Sequence, residues 1–155
     1  MRKALFPGSF DPVTKGHENV VLRALNLFDE IVVAVGRHAG KQSMYSVEER
    51  INMLEATFSA HSAVKITSYE GLTADWCRAC GATFQLRGVR NATDLVYEQT
   101  LAHMTRAMHP DLETVVLLTA PDLAPIHSTV VRDLIRHGGD CSPFVPSAIL
   151  PWVMK

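Results

Sequence analysis

The sequence predicts an α/β fold: one five-stranded parallel sheet, doubly wound, with helices on both faces. Two observations carry that expectation. Five short runs of β-branched and apolar residues alternate along the chain with amphipathic segments of helical period, the rhythm of strands connected by crossover helices. The 155 residues are 47% hydrophobic and 20% charged, the composition of a globular protein that builds its own core. A single domain spanning 1–155 is expected, because no linker, repeat or low-complexity tract interrupts the pattern.

Strands are expected at 3–6, 30–35, 64–68, 83–87 and 113–118, and helices at 17–28, 46–58, 73–80, 93–108 and 128–137. In the first helix Val20, Val21, Ala24, Leu25 and Phe28 recur at steps of three and four, so they face the sheet, and His17 heads the same stripe. The second helix opens on Ser46-Val47-Glu48-Glu49, a capping box in which serine and glutamate satisfy each other's backbone donors. Gly138 and Gly139 end the fifth helix, and the apolar, proline-rich tail around Phe144, Ile149 and Trp152 is expected to pack as a short helix. These five βα units read as a Rossmann-like domain.

Composition narrows the function. A formal net charge of −1 gives no field for nucleic acid or an anionic membrane, so an anionic ligand must be held by local cations. No stretch approaches the roughly 20 apolar residues of a membrane span, and the reading is cytoplasmic. Cys77, Cys80 and Cys141 do not suggest a disulfide framework. Cys77 and Cys80 form a CxxC, yet no second ligand pair accompanies them, and Ala74, Cys77 and Cys80 on one helix face read as small buried side chains. No resident protein-bound metal is expected. Asn91-Ala92-Thr93 matches a glycosylation sequon, a reading that fails without export.

Doubly wound sheets bind ligands at the carboxyl ends of their strands, where helix N-termini gather. Gly36-Arg37-His38-Ala39-Gly40-Lys41-Gln42 is a near miss for a P-loop: its glycines are too close, and glutamine stands where a hydroxyl belongs. The first exit reads Gly8-Ser9-Phe10-Asp11-Pro12-Val13-Thr14-Lys15-Gly16-His17, a glycine turn with a hydroxyl, then an imidazole at a helix start. Lys41 follows the second exit. The fourth exit places Arg87 and Arg90 around Gly88, with Asp94 and Glu98 in the following helix. Two guanidinium groups this close repel, which points to a shared anion. The fifth exit runs from Leu123 to Arg132 and sets Ser128 and Thr129 at a helix N-terminus, a setting that suits a triphosphate.

These strings carry a resemblance. GSFDPVTKGH is similar to the (H/T)xGH signature of the nucleotidyltransferase superfamily. RGVRNATD with Glu98 resembles the RGxRxxxD stretch of phosphopantetheine adenylyltransferases, and IHSTVVR resembles their ISSTxVR, with His127 in place of the first serine. The resemblance covers essentially the whole chain. It implies transfer of AMP from ATP to 4'-phosphopantetheine with Mg2+, in coenzyme A biosynthesis, by a homohexamer with no nucleic-acid or membrane partner. It also implies an acceptor held at Ser9, Lys41, Thr73 and Arg87. ATP would be held at Ser9, Phe10, His17, Gly88, Val89, Arg90, Glu98, Leu123, Ala124, Pro125, Ile126, His127, Ser128 and Thr129.

The residues suit that chemistry on physical grounds. A phosphate monoester is largely ionised near neutral pH, so the transfer requires neither a general base nor a protein nucleophile. It requires alignment of two anions and dispersal of developing charge, for which His17, as a hydrogen-bond donor, and Lys41 are the catalytic candidates. His127 adds a further expectation: a histidine facing the triphosphate would bind ATP more tightly as pH falls. The rivals are nicotinate mononucleotide adenylyltransferase and glycerol phosphate cytidylyltransferase, which typically carry histidine at the position of Thr14. A non-catalytic nucleotide-binding regulator on the same fold is a third.

Overall fold

Lys3–Gly8 (β1), Glu30–Arg37 (β2), Val64–Glu70 (β3), Phe84–Val89 (β4) and Glu113–Leu118 (β5) form one parallel sheet in the order β3-β2-β1-β4-β5. This is a computed structural model, and it describes residues 1–37 and 42–154. The strand order reverses beside β1, so the carboxyl ends of β1 and β4 open a crevice at the switch point of the sheet.

Helices Lys15–Ala24 (α1), Val47–Phe58 (α2), Thr73–Ala79 (α3), Ala92–Met108 (α4) and Ser128–Arg136 (α5) follow the five strands, and a 3₁₀ turn, Ser147–Ile149, leads into Leu150–Val153 (α6). Successive strand residues face opposite sides, and two cores result. Ala4, Phe6, Ile31, Val33 and Val35 pack with Val20, Val21, Met53, Leu54 and Val131 from α1, α2 and α5, together with Ile149. Leu5, Val32 and Ala34 pack on the other face with Tyr69, Ala74, Cys77 and Leu112. Helices on both faces therefore follow from the alternation itself.

Each of β1 to β4 runs two residues beyond its apolar run. The ladder pairs Pro7 with Ala34, Gly8 with Val35, Arg37 with Glu70 and Val89 with Leu118, and backbone pairing does not register in a hydrophobic pattern. The first helix is shorter than its stripe: after Ala24 the chain tightens through Leu27 N–H to Ala24 C=O at 2.9 Å, while Phe28 still reaches the core. The capping box of α2 is present, with Ser46 N–H to Glu49 at 2.8 Å and Glu49 N–H to Ser46 Oγ at 3.1 Å. The sequon asparagine has a structural role, since Asn91 caps α4 by accepting from Asp94 N–H at 2.9 Å. Cys77 is fully buried and directs its thiol at the carbonyls of Ala82 and Phe84. Burial, then the neighbouring Cys80, pushes its pKa up to about 12, so it is held as an inert thiol.

Candidate active site

β1 delivers the chain to Gly8, where a Cβ would stand 2.9 Å from the Phe10 ring. Only glycine lets that ring fold back. Phe10 adopts a left-handed backbone, φ 46°, which costs a non-glycine residue about 1–2 kcal/mol. Burial of the ring edge-on against Phe6 (5.5 Å) and His17 (5.1 Å) offsets it. Buried Asp11 accepts from the backbone N–H groups of Met44 and Tyr45 at 2.8 and 2.9 Å. Arg50, buried on α2, donates to the Ser9 carbonyl at 2.8 Å. The turn is thus tied to the start of α2 from two directions.

Thr14 caps α1 and His17 is its third residue. The Thr14 backbone N–H donates to His17 Nδ1 at 3.0 Å, and Thr14 Oγ1 lies 3.1 Å from the same nitrogen. With Nδ1 accepting, the ring proton resides on Nε2, which remains as a donor. Burial, then the charges of Arg90 and Arg87, lowers the His17 pKa to about 4, so the ring is neutral at physiological pH.

At the β4 exit each arginine has its own carboxylate. Arg87 makes a two-pronged pair with buried Glu98, Nε at 2.7 Å and Nη2 at 2.5 Å, and its third nitrogen donates to the Pro7 carbonyl at 3.2 Å. Arg90 donates through its backbone N–H and Nε to Asp94 at 3.1 and 3.0 Å. Burial pushes the Asp94 pKa up, but these Arg90 hydrogen bonds prevail and hold it below the usual carboxylate range. Mutual repulsion of the two arginines therefore needs no shared anion to relieve it, which corrects that part of the sequence argument. Gly88 lies between them, where a Cβ would stand 3.0 Å from a Val20 methyl and oblige it to shift.

At the β5 exit the N-cap of α5 is His127, not Ser128. Ser128 Oγ donates to the Pro12 carbonyl at 3.3 Å, and Arg132 donates to the Asp11 carbonyl at 2.9 Å and to Thr129 Oγ1 at 3.1 Å. Arg132 is a strut between the first and fifth exits. Arg90 Nη1 donates to His127 Nδ1, so that face of the imidazole is an acceptor.

Two cavities meet here. One, of about 410 Å³, is lined by Thr14, His17, Arg90, Ile126, His127, Ser128 and Thr129 among others. The other, of about 690 Å³, runs between Ser9, Phe10, Thr73 and the α4 side chains Leu101, Met104 and Met108. His17, Arg87, Gly88 and Tyr97 line both. Of the residues expected from the sequence, Glu98 lines the first cavity, and Thr73 lines the second with its hydroxyl 2.8 Å from that of Tyr69. Val89, Leu123, Ala124 and Pro125 line neither. Lys41 lies outside the described residues.

Sequence reasoning missed Tyr97, which is exposed on α4 and forms part of the shared wall, and Arg50, whose only sequence signal was a charge on the buried side of an amphipathic helix. Among the described residues no group of three or more His, Cys, Asp and Glu side chains is placed to hold a metal ion, and no helix is long and apolar enough to cross a membrane.

The cytidylyltransferase-like family model matches residues 5–134. The phosphopantetheine adenylyltransferase of Flavobacterium psychrophilum is 48% identical over 149 residues, 96% of this chain and 98% of that protein. That of Rhizobium etli is 41% identical over 155 residues, covering 97% and 94%, and that of Levilactobacillus brevis 38% over 149, covering 96% and 92%. Matches at this level over nearly the full length, on a five-stranded parallel sheet of this order, settle the family: the chain belongs to the cytidylyltransferase-like nucleotidyltransferases and, within them, to the phosphopantetheine adenylyltransferases.

Proposed function

We propose that this chain transfers AMP from ATP to 4'-phosphopantetheine, releasing pyrophosphate and forming dephospho-coenzyme A, as a step of coenzyme A biosynthesis in the cytoplasm. The observation that carries the reading is the pair of cavities sharing His17, Arg87, Gly88 and Tyr97, two ligand-sized spaces that touch at one imidazole. The smaller, lined by Arg90, His127, Ser128 and Thr129 at the start of α5, suits ATP. The larger and more apolar suits a phosphate monoester with a long tail, its phosphate near Arg87 and Ser9 and its stem beside Thr73. Lys41, from the second exit, is assigned to the same phosphate.

In the transfer an acceptor phosphate oxygen attacks the α-phosphorus of ATP as the bond to the β-phosphate oxygen breaks, and the electron pair leaves with pyrophosphate. No covalent enzyme intermediate is formed. His17 contributes as a neutral donor: Thr14 fixes the tautomer, and Nε2–H meets the charge that develops on the α-phosphate. Magnesium would travel on the triphosphate, because the described residues supply no acidic cage for it; bound there, it would neutralise phosphate charge. Self-association, which a homohexamer requires, is supported by α4, whose 17 residues bury only Glu98 while Leu95 and Val96, which line neither cavity, are 43% and 64% exposed. That face suits coverage by other copies.

The test is pyrophosphate release with ATP across several acceptors. Turnover of 4'-phosphopantetheine should exceed that of nicotinate mononucleotide at least tenfold, roughly the discrimination that lost site contacts impose. Equal or faster turnover of the nucleotide refutes the reading.

A further inference from the structure

Among the described residues two buried side-chain polar atoms have no hydrogen-bond partner, Trp76 Nε1 and Gln85 Oε1. Of these, Gln85 lines the larger of the two cavities described above. It sits on β4 beside Leu5 of β1 and Thr114 of β5, is 8% exposed, and shares a sheet face with Arg87 two residues on. The nearby wall is apolar: Leu101, Met104 and Met108 of α4 face the same space. A carboxamide oxygen left without a donor in such surroundings forfeits its hydration with nothing in return, and an apolar side chain of the same size would serve the core better. The terminal torsion of glutamine is broad, and turning it exchanges the oxygen with Nε2, which is not among the buried unpaired atoms.

We propose that Gln85 is a specificity-determining residue of the acceptor cavity, its carboxamide oxygen accepting a hydrogen bond from a hydroxyl or amide N–H on the acceptor's tail. The inference rests on the functional reading above, which puts the acceptor phosphate at Arg87. Two strand residues span about 7 Å, so the donor must lie about that far from the phosphate. In 4'-phosphopantetheine the secondary hydroxyl and the first amide N–H stand at this remove, flanked by methyl and methylene groups that match the leucine and methionine wall. A phosphate monoester with a purely apolar tail would leave Gln85 unpaired.

The test compares wild type with Gln85→Met, a swap of similar length without the acceptor, on two substrates: 4'-phosphopantetheine and an analogue with that hydroxyl and amide nitrogen methylated. The expected result is a KM for 4'-phosphopantetheine raised about 5- to 30-fold, the scale of one lost hydrogen bond to a ligand. KM for ATP should hold, the melting temperature should be unchanged or higher, and the methylated analogue should have the same KM on both proteins. An unmoved KM for 4'-phosphopantetheine, with or without a higher melting temperature, overturns the role. So does a parallel rise in both KM values with a lower melting temperature, which would mark Gln85 as structural. Wild-type turnover is scored separately: its absence overturns the functional reading and with it the acceptor named here, whereas wild-type turnover with an unmoved variant KM overturns Gln85 alone.

Discussion

Replacing His17 with asparagine keeps an acceptor near the position of Nδ1 and removes the donor at Nε2; replacing it with glutamine does the reverse. The two nitrogens have separate work, since Nδ1 takes the Thr14 N–H at 3.0 Å and Nε2–H is left for the site. Losing a transition-state donor costs about 10²- to 10³-fold in turnover, so His17→Asn should fall by that much while remaining folded. His17→Gln should retain more turnover but lose about 1 kcal/mol of stability with the cap. Stability against pH gives an independent check. The folded pKa of about 4 lies below the ordinary 6.5. The unfolded chain therefore takes a proton as pH falls through 6.5, and the folded one does not until about 4. This contribution is present above pH 6.5 and is lost as pH falls toward 4, with a slope of about 1.4 kcal/mol per pH unit. Because the ring is partly exposed, the total is at most about 3 kcal/mol. Urea melts between pH 7 and 4.5 should show His17→Asn flatter than wild type by that slope. Parallel profiles, or His17→Asn turnover within threefold of wild type, would refute the tautomer and the role built on it.

Gly8→Ala should cost about 1–3 kcal/mol, because the new methyl meets the Phe10 ring at 2.9 Å; a second change, Phe10→Leu, should recover part of the loss in thermal melts, and an unshifted melting temperature for Gly8→Ala would show that the ring moves freely. At His127, asparagine retains an acceptor at the Nδ1 position and should keep the ATP KM within threefold, whereas alanine should raise it about 3- to 10-fold by releasing Arg90. An ATP KM that stays within threefold of wild type in His127→Ala would refute a role for this contact in holding Arg90.

Much of this molecule is legible before folding because β1 and β2 are buried on both faces and α1 carries one apolar stripe. Val20, Val21 and Ala24 announce which side of α1 meets the sheet, and the same stripe fixes where His17 stands. Strand ends are less legible. Gly8, Arg37 and Val89 belong to the ladder through backbone pairing with Val35, Glu70 and Leu118, and a hydrogen-bonded ladder is indifferent to side-chain polarity. The close of α1 is illegible for the complementary reason: Phe28 is buried at the helical spacing even though the backbone has already left the helix.

Charge pairing is the larger loss: the acids stand close by in the sequence, but only the folded strand-to-helix turn decides which of them meets which arginine. Read along the chain, Arg87 and Arg90 crowd around Gly88, and nothing in the spacing of Asp94 and Glu98 shows that each acid takes one of them. Glu98 meets Arg87 at 2.5 Å only once α4 folds back on β4, and Asp94 reaches Arg90 only when the first turn of α4 has formed on its Asn91 cap. The paired state changes the task the site faces. An incoming phosphate finds guanidinium groups already oriented by carboxylates, so binding requires little ordering of side chains, but it must share each cation with an acid nearby. Arg87 commits Nε and Nη2 to Glu98 and Nη1 to the Pro7 carbonyl, which leaves its remaining N–H bonds and its unscreened side for the ligand. On the proposed function, those fixed orientations would let the two substrate phosphates be held on either side of His17, a local arrangement of charge that the formal charge of the sequence, −1, does not disclose.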